Sequence, residues 1–186
     1  LGGEGAGPLA ELRAAGREAF ARAELPGRKT EAWKYSRTGP LLEEGLLDRP
    51  DPGAAPVPVP DFPGLEADRI VLVDGVPRAL PSGLDGVTVR RLAAVRPDEA
   101  PVAPGALAGA EENPFVALNA ALAEDGVLVH VGRDARPERP LELVLAHGEG
   151  DAPRGAHPRV LVVLEPGAKL TLLERQVGSG RVVTNA

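Results

Sequence analysis

The chain has 186 residues, is 43% hydrophobic and 26% charged, and carries a formal net charge of −6. This length suits one or two small domains with a buried core. The acidic balance and the lack of a basic tract argue against nucleic acid as a partner. No apolar run approaches the ~20 residues of a transmembrane helix, so we expect no membrane partner and a cytoplasmic protein.

Cysteine is absent, which excludes disulfide bonds, thiolate metal sites and cysteine nucleophiles from this sequence. The sequence starts at Leu1 rather than at an initiator Met, and it stops directly after a strand-like run that includes Thr184. We therefore interpret the chain as a fragment of a longer protein.

Residues 1–47 are predicted to form a helical arm. Pro8 suits the first position of a helix over 8–24, where the missing N–H is not needed. Apolar residues recur there at helical spacing, namely Leu9, Leu12, Ala15, Ala19, Phe20 and Ala23. Thr30 is predicted to cap a second, short helix, and residues 40–47 are predicted to add one more helical turn.

Residues 48–66 are predicted to be a linker, because a proline-rich stretch favours an extended and semi-rigid chain. Its prolines are Pro50, Pro52, Pro56, Pro58, Pro60 and Pro63. A proline-rich ligand for a recognition domain is the alternative interpretation.

Residues 67–125 are predicted to form a small mixed segment that begins with strands. Asp74-Gly75 is a strong signal for a two-residue hairpin turn, because both residue types tolerate φ > 0. The predicted strands cover residues 69–73, 76–80 and 87–92, and a loop follows over 96–112.

A helix is predicted to close this mixed segment. Asn113 is a suitable N-cap and Pro114 occupies the first helical position. Asn119 is an unusual residue for a helix interior, and its side chain is predicted to hydrogen-bond to a nearby loop.

Residues 126–186 contain short strands and no helical pattern. The predicted strands cover residues 127–131, 141–145, 160–164, 170–173 and 182–184. The first alternates cleanly and places Val127, Val129 and Val131 on one face. A β-sandwich and a β-helix both fit the spacing of these strands.

The sequence Glu165-Pro166-Gly167-Ala168 separates two of these strands. Pro166 pre-sets φ near −65° and Gly167 supplies φ > 0, as a type II turn requires. A type II turn splays its flanking strands, so these strands are predicted to turn a corner rather than to pair with each other.

The sequence offers no recognisable catalytic or ligand-binding motif. The histidines His130, His147 and His157 lack zinc-site spacing, and no phosphate loop or nucleophile elbow is present. Glu165 and Glu174 are interpreted as a solvated turn and a strand edge. We therefore assign no catalytic, cofactor-binding or metal-binding residue, and we predict a non-enzymatic structural or interaction module.

Three sequence blocks carry a family resemblance. They are Lys29-Thr30-Glu31-Ala32-Trp33-Lys34-Tyr35-Ser36, then Asn113-Pro114-Phe115 with Leu118-Asn119 and Asp125-Gly126, then Pro158-Arg159-Val160 with Glu165-x-Gly167-Ala168 and Thr184-Asn185. In order and spacing they resemble the N-terminal part of SufD, in the SufB/SufD family of iron–sulfur cluster assembly proteins. The Trp-Lys-Tyr block favours SufD over SufB.

The resemblance implies a mixed α and β fold, with a helical arm followed by the start of a right-handed parallel β-helix over 126–186. It implies a scaffold component of the SufB–SufC–SufD complex, linked to iron delivery, with SufB and SufC as partners of the full-length protein. In that complex SufC binds ATP and an Fe–S cluster is built. The family's functional residues lie beyond Ala186, so no cofactor is expected in this fragment.

Two other functions stay open on the sequence alone, a β-helix carbohydrate-active enzyme and a generic protein-interaction module. The enzyme requires a carboxylate or basic cluster on a strand face, where this sequence has mostly Val and Leu. A cut β-helix exposes unpaired strand edges, so the fragment is expected to self-associate through the strands of residues 159–186.

Trp33 and Tyr35, the only Trp and Tyr of the chain, are predicted to anchor the short helix to the main body. A base-stacking platform is the alternative.

If Trp33 anchors the short helix, Trp33→Ala should lower the free energy of unfolding by ~3–5 kcal/mol in a urea titration. A loss below ~1 kcal/mol would contradict it.

Overall fold

A computed structural model describes residues 8–27, 29–35, 38–39, 58–96, 99–111, 113–148, 154–179 and 181–186. These residues form the mixed α and β structure that the sequence predicts. The helical turn predicted over 40–47, and the linker as far as residue 57, lie outside the described residues.

Helices and strands alternate irregularly along the chain. The helices are α1 (Pro8–Arg22), a 3-10 turn (Glu31–Trp33), a second 3-10 turn (Leu92–Ala94) and α2 (Pro114–Leu122). The strands are β1 (Asp68–Val73), β2 (Val76–Ala79), β3 (Val87–Arg91), β4 (Gly126–Val131), β5 (Leu141–His147), β6 (Arg154–Ala156), β7 (Arg159–Leu164), β8 (Leu172–Gly178) and β9 (Val182–Thr184).

The strands form three sheets, and the chain visits them twice in the same order. The strand orders are β2-β1-β5-β8, β3-β4-β7 and β6-β9. Strands β4, β5 and β6 therefore make a first layer, and β7, β8 and β9 make a second one. Each strand of the second layer pairs parallel with its counterpart in the first. Examples of the paired residues are Gly126 with Arg159, Leu141 with Leu172, and Arg154 with Val182.

A hydrophobic interior lies between the β2-β1-β5-β8 sheet and the β3-β4-β7 sheet. Its buried members are Ile70, Leu72, Val87, Val127, Val129, Val131, Leu141, Leu143 and Leu145. The predicted alternation of β4 is therefore confirmed, with its three valines on the buried face. Because β1 pairs in register with β5, Ile70 stacks beside Leu143 and Leu72 beside Leu145.

Helices α1 and α2 cover the outer face of the β3-β4-β7 sheet. Leu128 of β4 and Leu161 of β7 point away from the interior and pack against Leu9 and Leu12 of α1. This second cluster explains why the arm is amphipathic, since only one stripe of α1 contacts the sheet and α2.

The buried face of α1 includes Gly16, whereas Ala15, which the sequence analysis placed on that face, is exposed. A Cβ at residue 16 would lie 2.4 Å from the backbone nitrogen of Ala121. The two helices therefore cross so closely that only glycine fits at residue 16. The buried side of α1 is consequently the side that carries Gly16 and not the side that carries Ala15.

The corner at residues 165–168 forms as predicted. Gly167 has φ of 79°, and the Ala168 N–H donates to the Glu165 carbonyl at 3.0 Å. The flanking strands β7 and β8 belong to different sheets. The corner also stacks on the turn of the previous layer, because the Asp134 N–H donates to the Pro166 carbonyl at 3.1 Å.

Two strands differ from the sequence prediction. The strand predicted over 170–173 begins at Leu172 and extends to Gly178. It is longer than predicted because β5 also pairs with the polar residues that follow Leu173. Strand β6 has no counterpart in the prediction, since Arg154-Gly155-Ala156 carries no apolar alternation.

The predicted hairpin and the Asn113 cap are both confirmed, whereas Thr30 precedes its 3-10 turn without a side-chain cap hydrogen bond. Asp74 and Gly75 have φ of 47° and 88°, and they connect the antiparallel strands β1 and β2. The Phe115 N–H donates to Asn113 Oδ1 at 2.8 Å. The cap satisfies a backbone donor that the first turn of α2 would otherwise leave unpaired.

Trp33 and Tyr35 have different environments. The Trp33 ring is partly buried and lies 5.2 Å from the Phe115 ring, whereas Tyr35 is 92% exposed. Trp33 alone therefore anchors the short helix, so the predicted loss for Trp33→Ala falls near the lower end, about 3 kcal/mol.

Gly16→Ala tests the close helix crossing. The added Cβ must displace the α2 backbone, which outweighs the better helix propensity of alanine and should lower the free energy of unfolding by about 1–3 kcal/mol. Gly27→Ala is the matched control, because a Cβ at residue 27 meets no atom within 4 Å. Equal stability of the two variants in urea unfolding would refute the crossing.

Candidate functional site

The second layer ends the three sheets on one side and leaves an open end. Strands β7, β8 and β9 are each the last strand of their sheet among the described residues. Leu164 and Leu172 are 44% and 36% exposed at this end. Unpaired strand edges beside exposed apolar side chains are a typical surface for strand addition by another polypeptide.

A cleft of about 440 Å³ opens at this end. Phe115 and Val116 of α2 line it together with Val160 and Val162 of β7 and Glu174 of β8. The lining is largely apolar, and its polar side chains are those of Glu174, Arg159 and three asparagines.

The register explains how Glu174 comes to line the cleft. In a parallel pair, residues directly beside each other point to the same side of the sheet. Glu174 pairs with Leu143, which is part of the buried interior, and Gln176 pairs with Leu145. The interior side is thus apolar in the first layer, whereas on β8 it becomes polar from Glu174 onward. Glu174 lies within β8, which is an edge strand of its sheet among the described residues, and its side chain is exposed.

Arg159 and Asn119 both line the cleft, and they hydrogen-bond to each other and to neighbouring backbone carbonyls. Arg159 Nη1 donates to Asn119 Oδ1 at 2.8 Å, and Asn119 Nδ2 donates to the carbonyls of Pro158 and Asn185 at 2.9 and 2.6 Å. The predicted loop contact of Asn119 is therefore confirmed, and it ties α2 to the segments around β7 and β9.

The remaining Arg159 donors are also used internally. Nη2 donates to the carbonyls of Pro104 and Ala108 at 3.2 and 2.9 Å. Burial lowers the pKa of Arg159, because the charged form loses hydration. With Nε, Nη1 and Nη2 all engaged by neutral acceptors, this guanidinium organises the cleft wall rather than offering an anion site.

A second buried cluster joins the ends of β1, β5 and β9. Asp74 Oδ1 lies 3.4 Å from His147 Nδ1 and 3.7 Å from Arg154 Nε, and His147 Nε2 lies 3.0 Å from Thr184 Oγ1. Burial by itself raises the pKa of Asp74, but His147, Arg154 and the Gly148 amide together bring it below its usual range.

Carboxylate, imidazole and hydroxyl follow one another here in the order of a nucleophilic triad. However, Thr184 does not line the cleft, and His147 and Asp74 are both buried. The arrangement fixes β9 to the end of β5. No local sequence signal connects His147 with Asp74 and Thr184, because both residues are far away in the chain.

A third cluster lies on the outer face of the first sheet. Glu142 is 1% exposed and accepts from Arg69 Nε at 2.5 Å and from Arg175 Nε at 2.7 Å. Burial raises the pKa of Glu142, but the two arginines lower it more, so the net shift is downward. Arg175 also donates to the Pro60 carbonyl at 2.8 Å, which places part of the predicted linker on this sheet.

The other residues weighed in the sequence have local roles. His130 Nε2 lies 3.0 Å from Glu165 Oε1, and the Arg133 N–H donates to Glu165 Oε2 at 3.0 Å. Glu165 therefore links two stacked corners instead of being fully solvated. His157 is buried between β6 and β7.

Neither a metal cluster nor a membrane span emerges from the described part of the chain. No group of three or more His, Asp or Glu side chains there is placed to hold a metal ion. No helix there combines the length and the apolar composition needed to cross a membrane.

Glu142→Gln tests the two ion pairs that Glu142 makes with Arg69 and Arg175. A carboxylate whose pKa is lower in the folded than in the unfolded state stabilises the fold at every pH above its unfolded-state pKa. This stabilisation disappears as the pH falls through the folded-state pKa. The wild-type chain should lose stability below about pH 5. Glu142→Gln should lose about 3 kcal/mol at pH 7 and decline less steeply in acid.

Glu138→Gln is the control for this experiment, because Glu138 is exposed and its loss should change the stability by less than about 0.5 kcal/mol. Urea unfolding at several pH values provides the measurement. If the free energy of unfolding of Glu142→Gln equals that of Glu138→Gln at every pH, the two ion pairs of Glu142 do not stabilise the fold.

Comparison with protein families gives one result. Residues 65–143 match the family model described as the SufBD protein N-terminal region. A search of curated proteins found no match. The matched region contains β1 to β4, α2, the segments between them and the first residues of β5. The match supports the SufB/SufD family and does not distinguish SufD from SufB.

Proposed function

We propose that this chain is the N-terminal part of a SufD-type, non-catalytic scaffold component of the Suf iron–sulfur cluster assembly machinery. The observation that carries the proposal is the match of residues 65–143 to the SufBD protein N-terminal region. The block Trp33-Lys34-Tyr35 favours SufD over SufB within that family.

We also propose that β4 to β9 are the first coils of a right-handed parallel β-helix. The repeated order of the three sheets and the parallel pairing of the two layers support this. The stacked corners at Asp134 and Gly167 support it further, because a coil repeats its turns as well as its strands.

The scaffold role is supported by how the buried charges are used. Glu142 is held by Arg69 and Arg175, and Arg159 donates to carbonyls and to Asn119. These groups hold elements of the fold together rather than pointing at a common reaction centre. On this proposal the open end of β7, β8 and β9 is the surface on which the next coil of the full-length protein stacks.

On this proposal the full-length protein works in the cytoplasm with SufB and with SufC, whose ATP use drives the complex, and it contributes to iron delivery. The proposal places the cluster chemistry and the SufC-binding helices downstream of residue 186. The free edges of β7, β8 and β9 also give the present chain a tendency to self-associate.

Co-purification tests the proposed function. The full-length protein should retain both SufB and SufC on an affinity column, whereas the chain of residues 1–186 should not retain SufC. The full-length Glu138→Gln variant is the control, since Glu138 is exposed and its replacement should leave the binding of both partners intact. Failure of the full-length protein to retain either partner would overturn the assignment.

A further inference from the structure

An apolar strip crosses the outer face of the β2-β1-β5-β8 sheet. Its buried members are Val73 of β1 and Val144 and Ala146 of β5, and Val177 of β8 packs against them. The strand register places Val73, Ala146 and Val177 side by side. Because β5 belongs to the first layer and β8 to the second, this strip spans the boundary between the two layers.

Residues 58–61, which the sequence analysis assigned to the linker, lie on this strip, and we call them the strap. Val59 is half-buried and packs against the apolar strip. Arg175 Nη2 of β8 donates to the Pro60 carbonyl at 2.8 Å. The strap therefore contacts the first layer through Val59 and the second layer through Arg175.

Glu142 fixes the two arginines that reach the strap. Its buried carboxylate accepts from Arg69 Nε at 2.5 Å and from Arg175 Nε at 2.7 Å. A guanidinium presents its donors in a fixed fork, so these bonds also direct the other N–H groups. Arg69 Nη1 donates to Asp61 Oδ1 of the strap at 3.1 Å. The strap is thus held by side chains that a buried carboxylate of the first layer orients.

The strap lies beside the only part of β8 that is shielded from solvent. Of the seven residues of β8, all except Arg175 and Val177 are exposed. Arg175 bonds to the strap, and Val177 shares the apolar strip with Val59. On the interior side of this strand, Glu174 and Gln176 are exposed. The burial of β8 therefore occurs on the outer face, next to the strap.

Helix α1 has the corresponding position on the opposite side of the two layers. Leu9 and Leu12 of α1 share a hydrophobic cluster with Leu128 of β4 and Leu161 of β7. Leu128 and Leu161 are direct neighbours in the register of the two strands. Helix α1 therefore also covers the boundary between the first and the second layer.

We propose that the strap and α1 form a two-sided brace that holds the second strand layer on the first. Each segment contacts strands of both layers, so separation of β8 from β5, or of β7 from β4, also breaks contacts on an outer face. Prolines suit the strap, because they keep it extended and lack N–H groups that would need partners. The brace involves only contacts within the chain and is independent of the proposed function.

Hydrogen exchange resolved by mass spectrometry of peptides tests the brace. Val59→Ala removes methyl groups from the strap, and Val59→Thr keeps the side-chain shape but adds a hydroxyl to the apolar strip. Val102→Ala is the matched control, because Val102 is also half-buried but belongs to none of the three hydrophobic clusters of the described residues. Circular dichroism of each variant confirms that it is folded.

The amides of β8 should exchange about three- to tenfold faster in both Val59 variants than in the wild-type chain, because a half-buried apolar contact no longer opposes local opening of this strand. The amides of β4, within the first layer, should keep their wild-type rates. Val102→Ala should leave the exchange of β8 unchanged. On the opposite side, Leu12→Ala should accelerate the exchange of β7 more than that of β5.

Exchange of β8 that stays within about twofold of the wild-type rate in both Val59 variants overturns the brace. Equal acceleration of every strand overturns it too, since the strap then contributes only to global stability. If Leu12→Ala accelerates β5 as much as β7, α1 does not hold the second layer, and the two-sided brace is wrong.

Discussion

The parallel, in-register pairing of the second strand layer with the first is the constraint on which the rest of the structure depends. Because side chains alternate across a strand, each pairing fixes which residue of the new layer faces the interior. Glu174 faces the same side as Leu143 because the two residues pair, and Val162 faces the same side as Val129 for the same reason. The corner at Gly167 supports this register, since its φ of 79° strains any other residue there and a Cβ would meet Asp134 Oδ1 at 2.0 Å.

Polar clusters secure the layers from outside the apolar interior. Glu142 joins β1, β5 and β8 through two arginines, and Asn119 joins α2 to the segments beside β7 and β9. Asp74, His147 and Thr184 connect the end of β5 to β9. Each cluster spans residues that are distant in sequence. The buried carboxylates Glu142 and Asp74 thereby lie beside arginines of other elements.

Local signals in the sequence predicted much of the fold. The Asp74-Gly75 hairpin, the Asn113 cap, the Gly167 corner and the buried valines of β4 each depend on a few neighbouring residues. Strand β6 and the polar half of β8 were not predictable in this way, because neighbouring strands rather than their own residues make them strands. The orientation of Glu174 likewise requires knowledge of which strand lies beside β8.

Nuclear magnetic resonance on the isotopically labelled chain measures the central pairing directly. Cross-strand nuclear Overhauser contacts between backbone protons of β5 and β8 report their register. The account predicts contacts that place Glu174 beside Leu143 and Gln176 beside Leu145. Contacts shifted by one residue, with Glu174 beside Val144, would turn the carboxylate to the outer face and contradict the account.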